Sequence, residues 1–353
     1  MSRFLRPNIA RMAGYVPGEQ PHNGGFVKLN TNENPYPPSP RVRTAILEAV
    51  TDRLRLYPDP MATELCRTAA GLHQVEPDMV LAGNGSDDLL TIITRGFIGP
   101  GDRASFASPT YLLYATLVEL QDGQSVTVPY DHNWKLDPRS LALAGSKLVF
   151  LANPDSPSGT ALTREQIAEL ARSLDCPLVV DEAYADFAQP EFHAVPLVHE
   201  YPNVIVTRSL SKGYSLAGVR LGYLVARAEI ITHLIKVKDS YNCSMLSQVA
   251  GVAALHDQEY LAETRSRIRS TRSRLTGVLR GMGYEVPDSQ ANFVWATGGP
   301  SARDTFQKLK DRKILVRLMC YPGYPDGLRI TVGTDEEIGR LLDVLGQIVS
   351  RTT

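Results

Sequence analysis

Short apolar runs recur through the middle of the chain and alternate with stretches of helical periodicity. Runs near 79–82, 103–107, 124–128, 147–151, 177–180, 204–207 and 221–226 predict seven short strands. Amphipathic patterns fall between several of them, as at 87–97 and 163–174, and Thr163 with Gln166 three residues on makes a capping box for the second. Strands alternating with helices predict an α/β fold, a mostly parallel seven-stranded sheet covered on both faces. Ligands of such sheets bind at the carboxyl ends of the strands. Ahead of this region, 41–50 and 62–72 read as helices, with Tyr57-Pro58-Asp59-Pro60 turning between them. Residues 1–40 are rich in Pro, Gly and Asn and read as an extended arm that needs other structure to lie on. The prolines of 34–40 exclude helix and central strand there.

After about residue 240 the rhythm changes. Helices are expected at 247–256 and 259–282 and short strands at 284–286, 293–296, 314–316 and 328–332. A last helix, capped by Thr334 with Glu337, runs to about 350. This is a smaller α+β unit. The division expected is an arm at 1–29 that packs on the small unit and on a dimer partner, a large unit at 30–243 and the small unit at 244–353. There is no internal repeat and no low-complexity linker. Arginines at 265, 267, 269, 272 and 274 share a helix whose apolar stripe is Leu261, Ile268, Leu275 and Leu279. They read as a solvated face, because no flanking aromatics offer stacking to a nucleic acid.

Composition acts mainly by exclusion. Lys and Arg total 37 and Asp and Glu 38, for a net charge of −1, so nothing pulls the chain toward nucleic acid or an anionic membrane. Cys66, Cys176, Cys243 and Cys320 form no CxxC pair and the histidines no HExxH, so no metal site is expected and the thiols read as reduced, in the cytoplasm. No apolar segment follows Arg3, Arg6 and Arg11, and no apolar run is long enough to span a bilayer, so neither a secretory signal nor a membrane span is expected.

The chemistry gathers at strand ends. Ser209-Leu210-Ser211-Lys212-Gly213 follows the apolar run Val204-Ile205-Val206, and Arg220 comes eight positions after Lys212. A lysine desolvated there has a lowered pKa, and a neutral amine can attack a carbonyl to form a Schiff base. Arg220 can fix an anion beside it. Taken alone, S-x-S-K reads equally well as a surface loop. Gly83-Asn84-Gly85-Ser86-Asp87-Asp88 links a strand to a helix start and suits a phosphate, though an ordinary βα turn has the same look. Tyr111 follows the next strand and can stack on a planar ring or simply fill the core. Asn153, in Asn153-Pro154-Asp155-Ser156-Pro157-Ser158-Gly159-Thr160, can donate to a ring oxygen or merely shape a turn. Asp181 ends an apolar run, where a carboxylate needs a partner such as a protonated pyridine nitrogen, or serves as a helix cap. Together the set fits pyridoxal phosphate: Lys212 on the aldehyde, Asp181 on the pyridine nitrogen, Asn153 and Tyr184 on the ring oxygen, and Ser86, Ser209, Ser211 and Arg220 on the phosphate, with Gly85 and Asp87 also among the cofactor-binding residues.

These motifs resemble the fold-type I pyridoxal-phosphate aminotransferases, and among them the histidinol-phosphate aminotransferases. The likeness runs from Tyr15 to Thr334. It includes Lys28-Leu29-Asn30-Thr31-Asn32-Glu33-Asn34-Pro35, Arg55-Leu56-Tyr57-Pro58, the Gly-Asn-Gly-Ser-Asp turn, Asp181-Glu182-Ala183-Tyr184, Ser211-Lys212 with Arg220, Ser289-Gln290-Ala291-Asn292-Phe293, and Leu328-Arg329-Ile330-Thr331-Val332-Gly333-Thr334. The resemblance implies an aspartate-aminotransferase-like large domain and a homodimer in which Tyr57 reaches the neighbouring subunit's cofactor phosphate. It implies that Lys212, Asp181 and Tyr184 are catalytic. Arg329 would hold the glutamate carboxylate in one half-reaction and the substrate phosphate in the other, with Arg317, Tyr15 and Asn32 also at the substrate. Asp155, Ser158, Asp88 and Gly213-Tyr214 depart from the family pattern and bear on substrate preference.

The activity expected is transamination between glutamate and imidazole-acetol phosphate, in histidine biosynthesis. Aromatic aminotransferases and decarboxylases of phosphorylated amino acids share the cofactor motifs and remain alternatives. A nicotinamide-dependent dehydrogenase is disfavoured by the missing G-x-G-x-x-G, and a non-catalytic binding protein by the complete catalytic set.

Overall fold

The computed structural model describes residues 4–15, 18–21, 24–143 and 145–350. The remaining parts of the expected arm, and of the C-terminal end, lie outside the described residues. The strands in chain order are β1 (Val27–Lys28), β2 (Val80–Gly83), β3 (Arg103–Ser108), β4 (Gln124–Pro129), β5 (Leu148–Ala152), β6 (Leu178–Asp181), β7 (Val204–Ser209), β8 (Gly222–Val225), β9 (Phe293–Ala296), β10 (Ile314–Leu315), β11 (Arg317–Met319) and β12 (Gly327–Thr331).

The seven expected strands form one sheet in the order β2-β8-β7-β6-β5-β3-β4. All neighbours pair in parallel except β8, which runs antiparallel to both β2 and β7. β2, β6, β7 and β8 are buried at every position, as a sheet packed on both faces requires, whereas β4 at the edge has no fully buried residue. One apolar core lies on each face of this sheet, and helix Ser86–Phe97 contributes Leu89, Leu90, Ile92 and Ile93 to one of them.

The C-terminal third differs from the pattern reading in two places. The run at 314–316 is not one strand. Ile314 and Leu315 pair in parallel with Val27 and Lys28, then the chain turns at Val316 and β11 joins the three-stranded antiparallel sheet β11-β12-β9. Residues 284–286 make only a single bridge, Glu285 to Thr297. Long helix Gln258–Gly281 and final helix Asp335–Val349 cover this sheet through a separate core that includes Leu275, Leu279, Val294, Ile330, Leu341 and Leu345. The N-terminal segment is not wholly extended. Pro7–Arg11 is a short helix with proline at its first position, tied to the large sheet's layer by Asn8 Nδ2 donating to the Glu119 carbonyl at 2.8 Å. No helix of the described residues is long and apolar enough to cross a membrane.

Candidate active site

The carboxyl ends of β2, β3, β5, β6 and β7 open into a cavity of about 330 Å³. The large sheet supplies Ser86, Asp87, Thr110, Tyr111, Ser156, Asp181, Tyr184, Ser209, Ser211, Lys212 and Arg220 to its walls. The three-stranded sheet supplies Arg317 and Arg329, and the N-terminal segment Tyr15, Asn30, Thr31 and Asn32.

Lys212 lies in the loop after β7. Its Nζ donates to the Thr31 carbonyl at 3.1 Å and stands 5.9 Å from the Tyr184 ring centre. Burial first, then the Arg329 guanidinium, pull its amine down to about 8, against the opposing charges of Glu33 and Asp87. Asp181, the last residue of β6, is buried. It accepts from Tyr114 Oη at 2.8 Å, from Thr207 Oγ1 at 3.2 Å and from the Ala183 amide at 3.2 Å. Burial pushes its carboxyl up to about 6, so it is ionised at neutral pH but without a cationic partner among its bonds. Tyr184 Oη accepts from Asn32 Nδ2 at 3.0 Å, which leaves the phenol hydrogen free to donate.

Helix Ser86–Phe97 begins without a side-chain cap, so its first-turn amides are left for a ligand. Gly85 before it has φ 89, and a Cβ there would sit 2.8 Å from Arg220 Nη2, so only glycine lets the guanidinium lie over the helix start. Arg220 itself is held at φ 56. It donates to Ser211 Oγ at 3.4 Å and pairs with Asp87 at 3.3 Å, while Asp87 also accepts from Tyr111 Oη at 3.0 Å. Ser209 Oγ accepts from the Ser211 amide at 3.2 Å and shapes the same loop. A nucleophilic amine, an anion cradle and a buried carboxylate share one cavity, with Tyr111 on its wall. These residues fit pyridoxal phosphate.

On the opposite wall, Arg317 and Arg329 are directly paired across β11 and β12. Like charges so placed repel unless an anion comes between them. Arg329 donates to Ser156 Oγ at 2.9 Å and to the Asn30 carbonyl at 3.1 Å, and its buried Nε has no partner among the described residues. Tyr15 meets Tyr111 edge-on at 5.9 Å between ring centres.

A model of the family "aminotransferase class I and II" matches residues 25–345. The chain belongs to the class I and II aminotransferases. This aminotransferase is 50% identical over 337 residues to the histidinol-phosphate aminotransferase of Rhodopirellula baltica, covering 94% of this chain and 92% of that one. It is 46% identical over 346 residues to the histidinol-phosphate aminotransferase of Syntrophotalea carbinolica, covering 98% and 99%. Among solved structures, the histidinol-phosphate aminotransferase from Sinorhizobium meliloti in complex with pyridoxal-5'-phosphate matches with a TM-score of 0.91 at 28% identity, over 100% of this chain and 99% of that one.

One expected site residue stands elsewhere in this aminotransferase. Asn153 does not face the cavity wall. Its Nδ2 donates to the carbonyls of Leu162 and Phe192 at 3.2 and 2.8 Å, and its Oδ1 accepts from the Leu162 amide at 2.7 Å, so its amide is consumed in shaping the turn. Ser156, three residues on, enters the cavity instead. Tyr57 is 78% exposed, stacked on Tyr241 at 4.4 Å, and is not among the residues that line this cavity. Pattern reading also passed over the buried pairing of Arg208 with Glu182 at 2.7 Å and Asp186 at 2.5 Å, directly behind the site. A Cβ on Gly213, next to Lys212, would meet Asp186 Oδ2 at 2.2 Å, so this ion group packs against the loop that carries the lysine. A buried-looking Arg-Ser at the end of β7 beside Asp-Glu at the end of β6 was the available signal.

Proposed function

We propose that this aminotransferase uses pyridoxal phosphate to exchange an amino group between glutamate and 2-oxoglutarate on one side and histidinol phosphate and imidazole-acetol phosphate on the other. The observation that carries the reading is the facing pair Arg317 and Arg329 in the same cavity as Lys212. Two planar guanidinium forks suit a doubly charged phosphate better than one carboxylate. The names of the relatives point the same way.

The bound cofactor supplies an aldehyde that takes up the amino group and a ring that withdraws the electron pair left when the substrate Cα proton departs. Lys212, whose lowered pKa makes the neutral amine accessible near neutral pH, removes that proton and returns it on the other side of the exchange. Asp181 holds a proton on the ring nitrogen, and Tyr114 and Thr207 keep its carboxylate aimed. Tyr184 donates its phenol hydrogen to the ring oxygen. Arg220 and the start of helix Ser86–Phe97 hold the phosphate. Arg329 holds the anionic end of either substrate, and Arg317 adds the second fork for a phosphate. In this reading residues 30–243 make the cofactor-holding unit and 244–353 the unit that carries both arginines.

Loss of a charged hydrogen bond costs about 1.5–3 kcal/mol, so two of them discriminate by roughly a hundredfold or more. Arg317→Ala therefore lowers kcat/KM for histidinol phosphate far more than for glutamate, and Arg329→Ala lowers both. Equal losses on the two substrates with Arg317→Ala remove the phosphate role.

The enzyme is a cytoplasmic homodimer in this reading. Leu47, Val50, Leu54, Leu56 and Tyr57 are exposed large apolar side chains close together in sequence, and Tyr57 is not among the residues that line its own cavity. Mixing inactive Tyr57→Ala subunits with inactive Lys212→Ala subunits restores activity, because one site of each hybrid has both residues intact. Proven subunit exchange without recovered activity removes the shared site.

A further inference from the structure

Asp155 is a buried carboxylate that makes no ion pair among the described residues. Donors satisfy it instead. Thr110 Oγ1 donates at 2.7 Å, Ser158 Oγ at 2.8 Å and the Ser158 amide at 3.4 Å, and the Tyr130 hydroxyl donates as well. Burial pushes its carboxyl up to about 6, so it is mostly ionised at neutral pH. The Asp155 backbone closes the same turn, its amide donating to the Thr160 carbonyl at 2.8 Å and its carbonyl accepting from the Gly159 amide at 2.9 Å.

The turn reaches the active site through Pro154 and Ser156. Ser156, 5% exposed, lines the cavity and accepts from Arg329 Nη1 at 2.9 Å. Thr110, tied to Asp155 from the loop after β3, lines the same cavity. A buried charge thus fastens two pieces of the wall to each other, and one of them sets where the Arg329 guanidinium rests. We propose that Asp155 is a positioning residue, whose carboxylate fixes the Ser156 turn and thereby the Arg329 fork that captures the substrate's anionic end.

The inference rests on the assignment of Arg329 as the anion holder. Asp155 is not among the residues that line the cavity, so its effect falls on anion affinity and passes through Ser156. The test is calorimetric titration of the pyridoxal-phosphate-loaded protein with glutarate. This dicarboxylate has no amine and occupies the site without turnover. Asp155→Ala raises the glutarate Kd about tenfold, the loss of one well-placed charged contact. Asp155→Asn, which keeps one acceptor oxygen, recovers most of that loss. Tyr130→Phe removes one donor away from the cavity and moves Kd the same way by about threefold, so the proposal stays open to test if the alanine variant does not fold. The Asp155→Ala, Ser156→Ala double variant binds no more weakly than Ser156→Ala alone, because the two act in series. Wild-type affinity in both Asp155→Ala and Tyr130→Phe overturns the proposal, and so does multiplication of the Asp155 and Ser156 effects. A wild-type protein that ignores glutarate overturns the Arg329 assignment itself, and this inference with it.

Discussion

Lys212→Ala abolishes transamination and leaves the fold standing. The lysine lies on a loop rather than in an apolar core, and among the described residues its amine makes one hydrogen bond, to the Thr31 carbonyl. Its removal therefore frees a single acceptor beside the cavity and opens no large void. What is lost is the only amine in the cavity among the described residues, with its pKa drawn to about 8 by burial and by Arg329. At pH 7.5 roughly a quarter of such amines are neutral, against about one in a thousand for an ordinary lysine. The neutral form dominates above pH 8, so uptake of pyridoxal phosphate by the wild-type apoprotein accelerates as pH rises through about 8. The variant still binds the cofactor through Asp181 and the Arg220 cradle, with a spectrum that lacks the lysine adduct. Stopped-flow absorbance reads the uptake and a coupled glutamate assay reads the turnover. Near-normal turnover by a pure Lys212→Ala protein would remove the lysine from the mechanism.

Asp181→Ala has the second largest effect. Its carboxylate is held in place by Tyr114, Thr207 and the Ala183 amide, and burial makes its isolated charge unfavourable until a cation arrives. A protonated ring nitrogen is such a cation, and the pairing keeps the ring able to accept electrons. Acid–base contributions of this kind are worth about two to four orders of magnitude. Removal of the Cα proton, followed with deuterated glutamate, slows by at least about a hundredfold, while the cofactor stays bound. A variant within a few-fold of wild type would reduce Asp181 to a structural acceptor for Tyr114 and Thr207.

The large sheet was legible because its strands are buried on both faces, so each reads as an unbroken apolar run between turn residues. The split at Val316 was not, because the apolar run continues while the chain changes sheets. Only pairing with the two-residue strand Val27–Lys28, nearly three hundred residues away, decides where the break falls. Helix Pro7–Arg11 is too short to show a period. At the site, Lys212, Asp181 and Arg220 stood out because charge beside an apolar run demands a reason. The turn at 153–160 carries several small polar side chains, and composition does not say which one faces the cavity. Backbone carbonyls of Leu162 and Phe192 claim Asn153, and the place falls to Ser156. Sequence places Arg317 and Arg329 at the substrate only by resemblance; the register makes them direct partners.

The most direct measurement is a single-turnover experiment on the wild-type protein loaded with pyridoxal phosphate. Histidinol phosphate is added without an acceptor, and absorbance and keto product are followed together. The expected result is conversion of the cofactor to its pyridoxamine form, one imidazole-acetol phosphate per site, and return of the original spectrum with one glutamate when 2-oxoglutarate follows. Phenylalanine and tyrosine at the same concentration convert the cofactor at least about a hundredfold more slowly. Faster conversion by an aromatic amino acid, or no pyridoxamine form and no keto product with histidinol phosphate, would contradict the account.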